Sequence, residues 1–215
     1  MKRSSPEKSE ADASLQHTIL QLLDYCTRKH WAGYDPYDGL NSKVFQALPF
    51  VQNRIGRLGL TQAMKRSPFN FRPILLVTEA QNPKALALFC TSLLILSKMG
   101  WFNNDDTIFQ LLKRMVELKS PNIPHFCWGY HFDWQARDGF LPKFAPNIIC
   151  TTFAGNALLD IYETFSDEKC LEMAVSAGEF LLNGLNITKG DDEICFSYTP
   201  LEWSQVHNAN LLGSA

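Results

Sequence analysis

Between Asn82 and Lys119 the chain carries two long apolar stretches of helical period joined by four residues, which limits the fold more than any other feature. Asn82 fits an N-cap and Pro83 the first helical position, where a missing N–H costs nothing. Leu86, Leu88, Phe89, Leu93, Leu94, Leu96 and Met99 then fall on most sides of the predicted helix, which is therefore buried on most sides, and Gly100 ends it. After Trp101-Phe102-Asn103-Asn104 a second helix is predicted from Asp105 to Lys119, with Ile108, Leu111, Leu112, Met115, Val116 and Leu118 on its apolar face. So short a linker makes the second helix return antiparallel to the first.

The construction recurs downstream. Asn147 to Thr164 reads as a helix, Phe165-Ser166 as a turn with Asp167 next, and Glu168 to Leu185 as the returning helix. Aligning Leu93-Leu94 with Leu158-Leu159 sets the hairpins roughly 65 residues apart, a period that points to repeated helical hairpins. Cys127-Trp128-Gly129-Tyr130 precedes one hairpin and Cys195-Phe196-Ser197-Tyr198 precedes a helix predicted from His207, with Trp31-Ala32-Gly33-Tyr34 a looser third copy. An aromatic, a small residue and a tyrosine at successive entrances would ring one rim, as in helical toroids.

The rest of the chain fits around these pairs. An amphipathic helix is predicted over Ser14–Lys29 and another over Val51–Met64. Phe71 to Val77 reads as a short helix with Pro73 in its first turn, a lone strand being the alternative. Residues 1–13 are expected to form a disordered polar tail and 14–215 one partial domain. A new helix has only begun where the sequence stops, so the reading expects a fragment whose last helix face needs missing sequence or another subunit.

Composition removes several classes of function. With a net charge of -2 and scattered Lys and Arg, the chain offers no electrostatic footprint for nucleic acid. The polar opening segment lacks the apolar core of a secretory signal, and no window approaches the roughly 18 apolar residues of a membrane span. No membrane insertion and a cytoplasmic location are expected. The six cysteines stand singly among apolar residues and are expected to be reduced, with Cys127 and His131 only half a zinc site, so no metal and no cofactor is expected. The phosphate-loop, dinucleotide, nucleophile-elbow and zinc-peptidase motifs are absent.

The stretches Trp31 to Ser42, Trp128 to Trp134, Tyr198-Thr199-Pro200 and Val206 to Asn210, together with the hairpins, resemble the α/α-toroid class of six-hairpin glycosidases, polysaccharide lyases, sugar epimerases and terpenoid cyclases. More narrowly, the chain resembles bacterial proteins encoded with exopolysaccharide and capsule biosynthesis genes. The resemblance implies an all-α fold, part of an (α/α)6 toroid, and a sugar or oligosaccharide as partner. It transfers no catalytic assignment.

The candidate chemistry comes from the residues themselves. Asp35 and Asp38, three apart in a Tyr/Pro/Gly loop, can with Asp133 supply the paired carboxylates of glycoside hydrolysis or proton abstraction; the plain alternative is hydrogen bonding within the loops. Tyr34, Tyr37, Trp128, Tyr130, Trp134 and Tyr198 can form a platform for sugar rings, or pack the core. His207 can act as acid or base beside Asn208 as a hydrogen-bond donor, or both can cap a helix end. Thr151, Thr152 and Asn156 line an inner wall or allow close helix packing, and Asp138 reads as a turn residue. The leading expectation is a carbohydrate-active protein. A non-catalytic scaffold for a polysaccharide or assembly partner is the alternative, and a terpenoid cyclase is third, weakened by the missing aspartate-rich motifs. Convergence of two carboxylates on one open cavity would favour catalysis.

Overall fold

A computed structural model describes residues 6–136 and 139–214. Helix α1 (Pro6–Arg28) begins before the expected Ser14, so residues 6–13 form its first turns, while residues 1–5 lie outside the described residues. A single-turn helix α2 (Lys43–Gln46) and helix α3 (Arg54–Arg66) follow, the latter capped by Asn53, whose side chain accepts from the Gly56 amide. Residues 71–77 are neither the expected helix nor a strand. One i→i+4 bond from the Leu75 amide to the Phe71 carbonyl makes a helical turn that Leu76, in the left-handed region at φ 52°, does not continue.

The two expected hairpins are present. Helices α4 (Pro83–Lys98) and α5 (Asp105–Glu117) form the first, and α6 (Ile148–Phe165) and α7 (Glu168–Asn183) the second. Each helix starts on a side chain that satisfies a free amide. Asn82 accepts from Lys84, Asn104 from Thr107, Asn147 from Cys150 and Asp167 from Lys169. The caps of α4 and α6 lie 65 positions apart, matching the spacing read from the leucines. Gly100, at φ 72°, and Ser166, at φ 56°, turn the chain after α4 and α6.

Helices α4 and α6 pack directly on each other, with α5 against α4, α7 against α6, and α8 (His207–Ser214) also against α6. Lys84 lies over the ring of Phe153, and Thr91 donates to Asp160 at 2.6 Å. Both pairs span 69 positions, so α4 and α6 run parallel. Small residues allow the α6–α7 approach: a Cβ placed on Gly155 would already touch Ala177. The shared core includes Leu86, Cys90, Leu93, Ile108, Met115, Leu158 and Ile161, each 0–1% exposed. At about 1.5–3 kcal/mol per fully buried large apolar side chain, this seam dominates the stabilising side of folding.

Two small antiparallel hairpins lie outside the helical reading. Strands β1 (Trp134–Gln135) and β2 (Phe140–Leu141) pair Trp134 with Leu141, and β3 (Ile187–Lys189) pairs with β4 (Ile194–Phe196). Asp138 falls between β1 and β2, outside the described residues. The aromatic motifs enter the fold in equivalent ways. Gly33 bridges Ala80 just before the α4 cap, and Gly129 bridges Pro146 just before the α6 cap. At Gly129 the approach is so close that any Cβ would meet the Ala145 carbonyl oxygen at 1.8 Å. Among the described residues, no helix is long and apolar enough to cross a membrane.

Candidate functional site

The segment leaving α1 is held by its own backbone. The Trp31 amide donates to the Cys26 carbonyl at 2.8 Å, with His30 and Trp31 both in the left-handed region, and the Gly33–Ala80 bridge then carries the chain past the start of α4. Asp35 follows. Its carboxylate accepts from the Tyr37 amide at 3.0 Å, an Asx turn that orients Tyr37. The Asp35 carboxyl sits above its usual range, chiefly because burial penalises the charged form; the Tyr37 amide, then Arg72 and Lys84, partly oppose this.

Asp38 does different work. It is 1% exposed, accepts from the Asp35 amide at 2.9 Å, and pairs with the Arg72 guanidinium at 2.7 Å. Arg72 also donates to the Asp35 carbonyl at 2.8 Å. The buried ion pair fixes the loop, and Asp38 lines none of the cavity described below. Asp133 is likewise engaged, accepting from the Lys143 amide across the base of the β1–β2 hairpin.

Trp134 is the hub of the aromatic cluster. Its ring lies 6.0 Å from Tyr37, 6.5 Å from Tyr130 and 6.2 Å from Tyr198, all edge-on, and the Tyr130 and Tyr198 hydroxyls hydrogen-bond at 2.8 Å. Edge-on contacts between rings are the favourable geometry for aromatic quadrupoles. Burial pushes both phenols upward, Tyr198 to about 12, so both remain protonated. Tyr37 is held from the other side by Lys65, whose ammonium donates to the phenol oxygen at 2.6 Å.

These groups enclose an open cavity of about 440 Å3, lined by Asp35, Tyr37, Lys84, Tyr130, Phe132 and Trp134 among others. The volume lies within the range of about 300–1,000 Å3 usual for small-molecule sites. Four residues proposed from sequence, Asp35, Tyr37, Tyr130 and Trp134, therefore share one wall, with Tyr198 behind them. Lys84 and Asn82, at the start of α4, were not among the candidates; their cap role at the Asn-Pro start of that helix hid their place at the cavity edge.

Other candidates are placed elsewhere. Trp128 is 0% exposed, and its indole donates to the Met115 carbonyl at 2.7 Å, so it is a core residue that no ligand reaches. His207 and Asn208 are exposed in the first turn of α8 and do not line this cavity. Tyr34 lies beneath the Arg72 guanidinium, 5.5 Å from its ring centre, on a neighbouring concavity. Thr151 and Thr152 are buried, with hydroxyls bonded to the Trp128 and Ile148 backbones, and Asn156 faces a separate groove between α4 and α6. The six cysteines are free thiols; burial pushes Cys90 and Cys150 up to about 12, which suits packing rather than nucleophilic chemistry. Among the described residues, no three His, Cys, Asp or Glu side chains are grouped to hold a metal ion.

Among the described residues, Asp35 is the single carboxylate on the cavity wall. The wall can stack a ring against Tyr37 and Trp134, accept a hydroxyl proton at Asp35, and donate from Lys84. Among the described residues, it does not offer the two opposed carboxyl groups that glycoside hydrolysis uses. Comparison of the chain with protein-family models, with curated proteins and with solved structures finds no match.

Proposed function

We propose that the protein binds a sugar or oligosaccharide at the Asp35–Trp134 cavity and serves polysaccharide biosynthesis or modification as a recognition component. The observation that carries this reading is the juxtaposition of one partly buried carboxylate with Tyr37, Tyr130 and Trp134 around a single opening. Sugar rings present C–H faces to aromatic surfaces and hydroxyls to a carboxylate, so the wall matches both halves of that chemistry. Asp38 and Asp133 make loop bonds and do not line the cavity, which favours recognition over hydrolysis. The parallel α4–α6 pair, with α5 and α7 on their flanks, supports assigning the hairpins to part of an α/α toroid.

A second reading keeps a reaction at the same site. A single base suffices for elimination or epimerisation, and burial that raises the Asp35 carboxyl brings it closer to the range in which general bases work. A glycan array probed with the full chain, alongside Asp35→Asn and Trp134→Ala, tests both. Recognition predicts saturable retention of at least one glycan, weakened at least tenfold by Trp134→Ala. Retention by Asp35→Asn with loss of glycan conversion would move the assignment to catalysis. No retention on any printed glycan, with no thermal shift in solution, would end the sugar reading.

A further inference from the structure

A second concavity of about 290 Å3 adjoins the first, and the two share Asp35, Asn82 and Ala85 as a common wall. Its far side is aromatic too, with Trp31 edge-on to Phe89 at 4.8 Å and Tyr34 37% exposed beside it. His131 also lines it. That side chain is 8% exposed, and its Nδ1 has no hydrogen-bond partner among the described residues, although a buried polar atom left unpaired costs about 1–3 kcal/mol. Burial holds the imidazole neutral, lowering it to about 4 against a smaller opposing pull from Asp38. A neutral imidazole carries one donor and one acceptor nitrogen, a match for a hydroxyl group.

We infer that the two concavities are halves of one groove straddling Asp35, that it takes at least two linked sugar units, and that His131 bonds a hydroxyl of the unit in the Trp31–Tyr34 half. This rests on the sugar reading of the first cavity and extends it from a ring to a chain. The groove supplies each half with its own aromatic surface: Tyr37, Tyr130 and Trp134 on one side, Trp31 and Tyr34 on the other. The linkage between the two units then passes over the shared carboxylate. His30 and Trp31, held consecutively in left-handed backbone at a cost of order 1–3 kcal/mol each, fit a segment constrained by what it positions.

The test uses the full chain on an array in which glucan, galactan, mannan and polyuronate series are each printed as mono-, di- and tetrasaccharide. Retention should rise at least tenfold from mono- to disaccharide in one series. Tyr34→Ala and His131→Asn should bring disaccharide retention down to the monosaccharide level, with circular dichroism confirming the fold of both variants. Tyr34 is surface-placed, so its variant serves even where the buried histidine does not tolerate change. Equal retention of mono- and disaccharide, or full disaccharide retention in both variants, overturns the two-unit groove and leaves the sugar reading standing. No retention in any series overturns both.

Discussion

Replacing Arg72 with Met should destabilise the fold far more than loss of an ordinary surface cation. The guanidinium is the charged partner of Asp38, whose side chain is 1% exposed, and Arg72 itself is only 13% exposed. Taking away one member of a buried pair strands the other charge in a medium that cannot solvate it, at a cost of about 3–5 kcal/mol. For a chain of this length each kcal/mol shifts the melting temperature by about 2–4 °C, so the expected fall is about 6–20 °C. The assay is a double-mutant cycle of Arg72→Met, Asp38→Asn and their combination, followed by calorimetry at neutral pH. The combined variant buries an amide opposite a thioether, with no stranded charge, and should be more stable than the sum of the single losses implies, by at least about 1 kcal/mol. Strict additivity, or a cost below about 1 kcal/mol for Arg72→Met as in exposed pairs, would refute the claim that this ion pair fixes the loop carrying Asp35 and Tyr37.

Trp128→Ala should cost about 3–5 kcal/mol in denaturant unfolding as a core deletion, and Trp134→Ala distinctly less; equal losses would contradict the placement of Trp128. Because the folded state lowers His131 to about 4, its contribution is fully present above the ordinary histidine value of about 6.5. That contribution is lost as pH falls through about 4, amounting to about 3 kcal/mol. His131→Gln should flatten the decline of urea midpoints between pH 6.5 and 4, and an unchanged slope would refute the buried neutral imidazole. Asp35 is shifted the other way. Its contribution is present below the ordinary carboxylate value and lost as pH rises through its raised one, so Asp35→Asn should melt higher than wild type at pH 7, the gap closing below about pH 4.

The helix pairs were legible because their signals are local. Asn82-Pro83, Asn104, Asn147 and Asp167 each stand where a first turn needs an acceptor, and apolar spacing did the rest. The small hairpins were not, since strands of two or three residues are too short to show alternation. At the site, the Asx turn at Asp35 and the clustering of Tyr37, Tyr130 and Trp134 followed from neighbouring loops sharing a rim. Trp128 misled because an aromatic run does not reveal which ring turns inward; that depends on the Met115 carbonyl, which only the folded chain brings close. Arg72 and Lys84 carried no motif. Their roles arise from contacts made across 34 or more positions or at the mouth of the cavity.

The bond between the Tyr130 and Tyr198 phenols has a consequence for any guest in the cavity. Two hydroxyls facing each other hold two hydrogens, and only one fits in the space between the oxygens. Tyr198 is the more enclosed partner, and its backbone is tied to both the start of α6 and the turn before α8. With Tyr198 donating, Tyr130 keeps a hydrogen for the cavity it lines; with Tyr130 donating, its oxygen keeps lone pairs there instead. The wall thus answers either a lone pair or a hydroxyl hydrogen of a guest, through a bond to a residue that does not line the cavity.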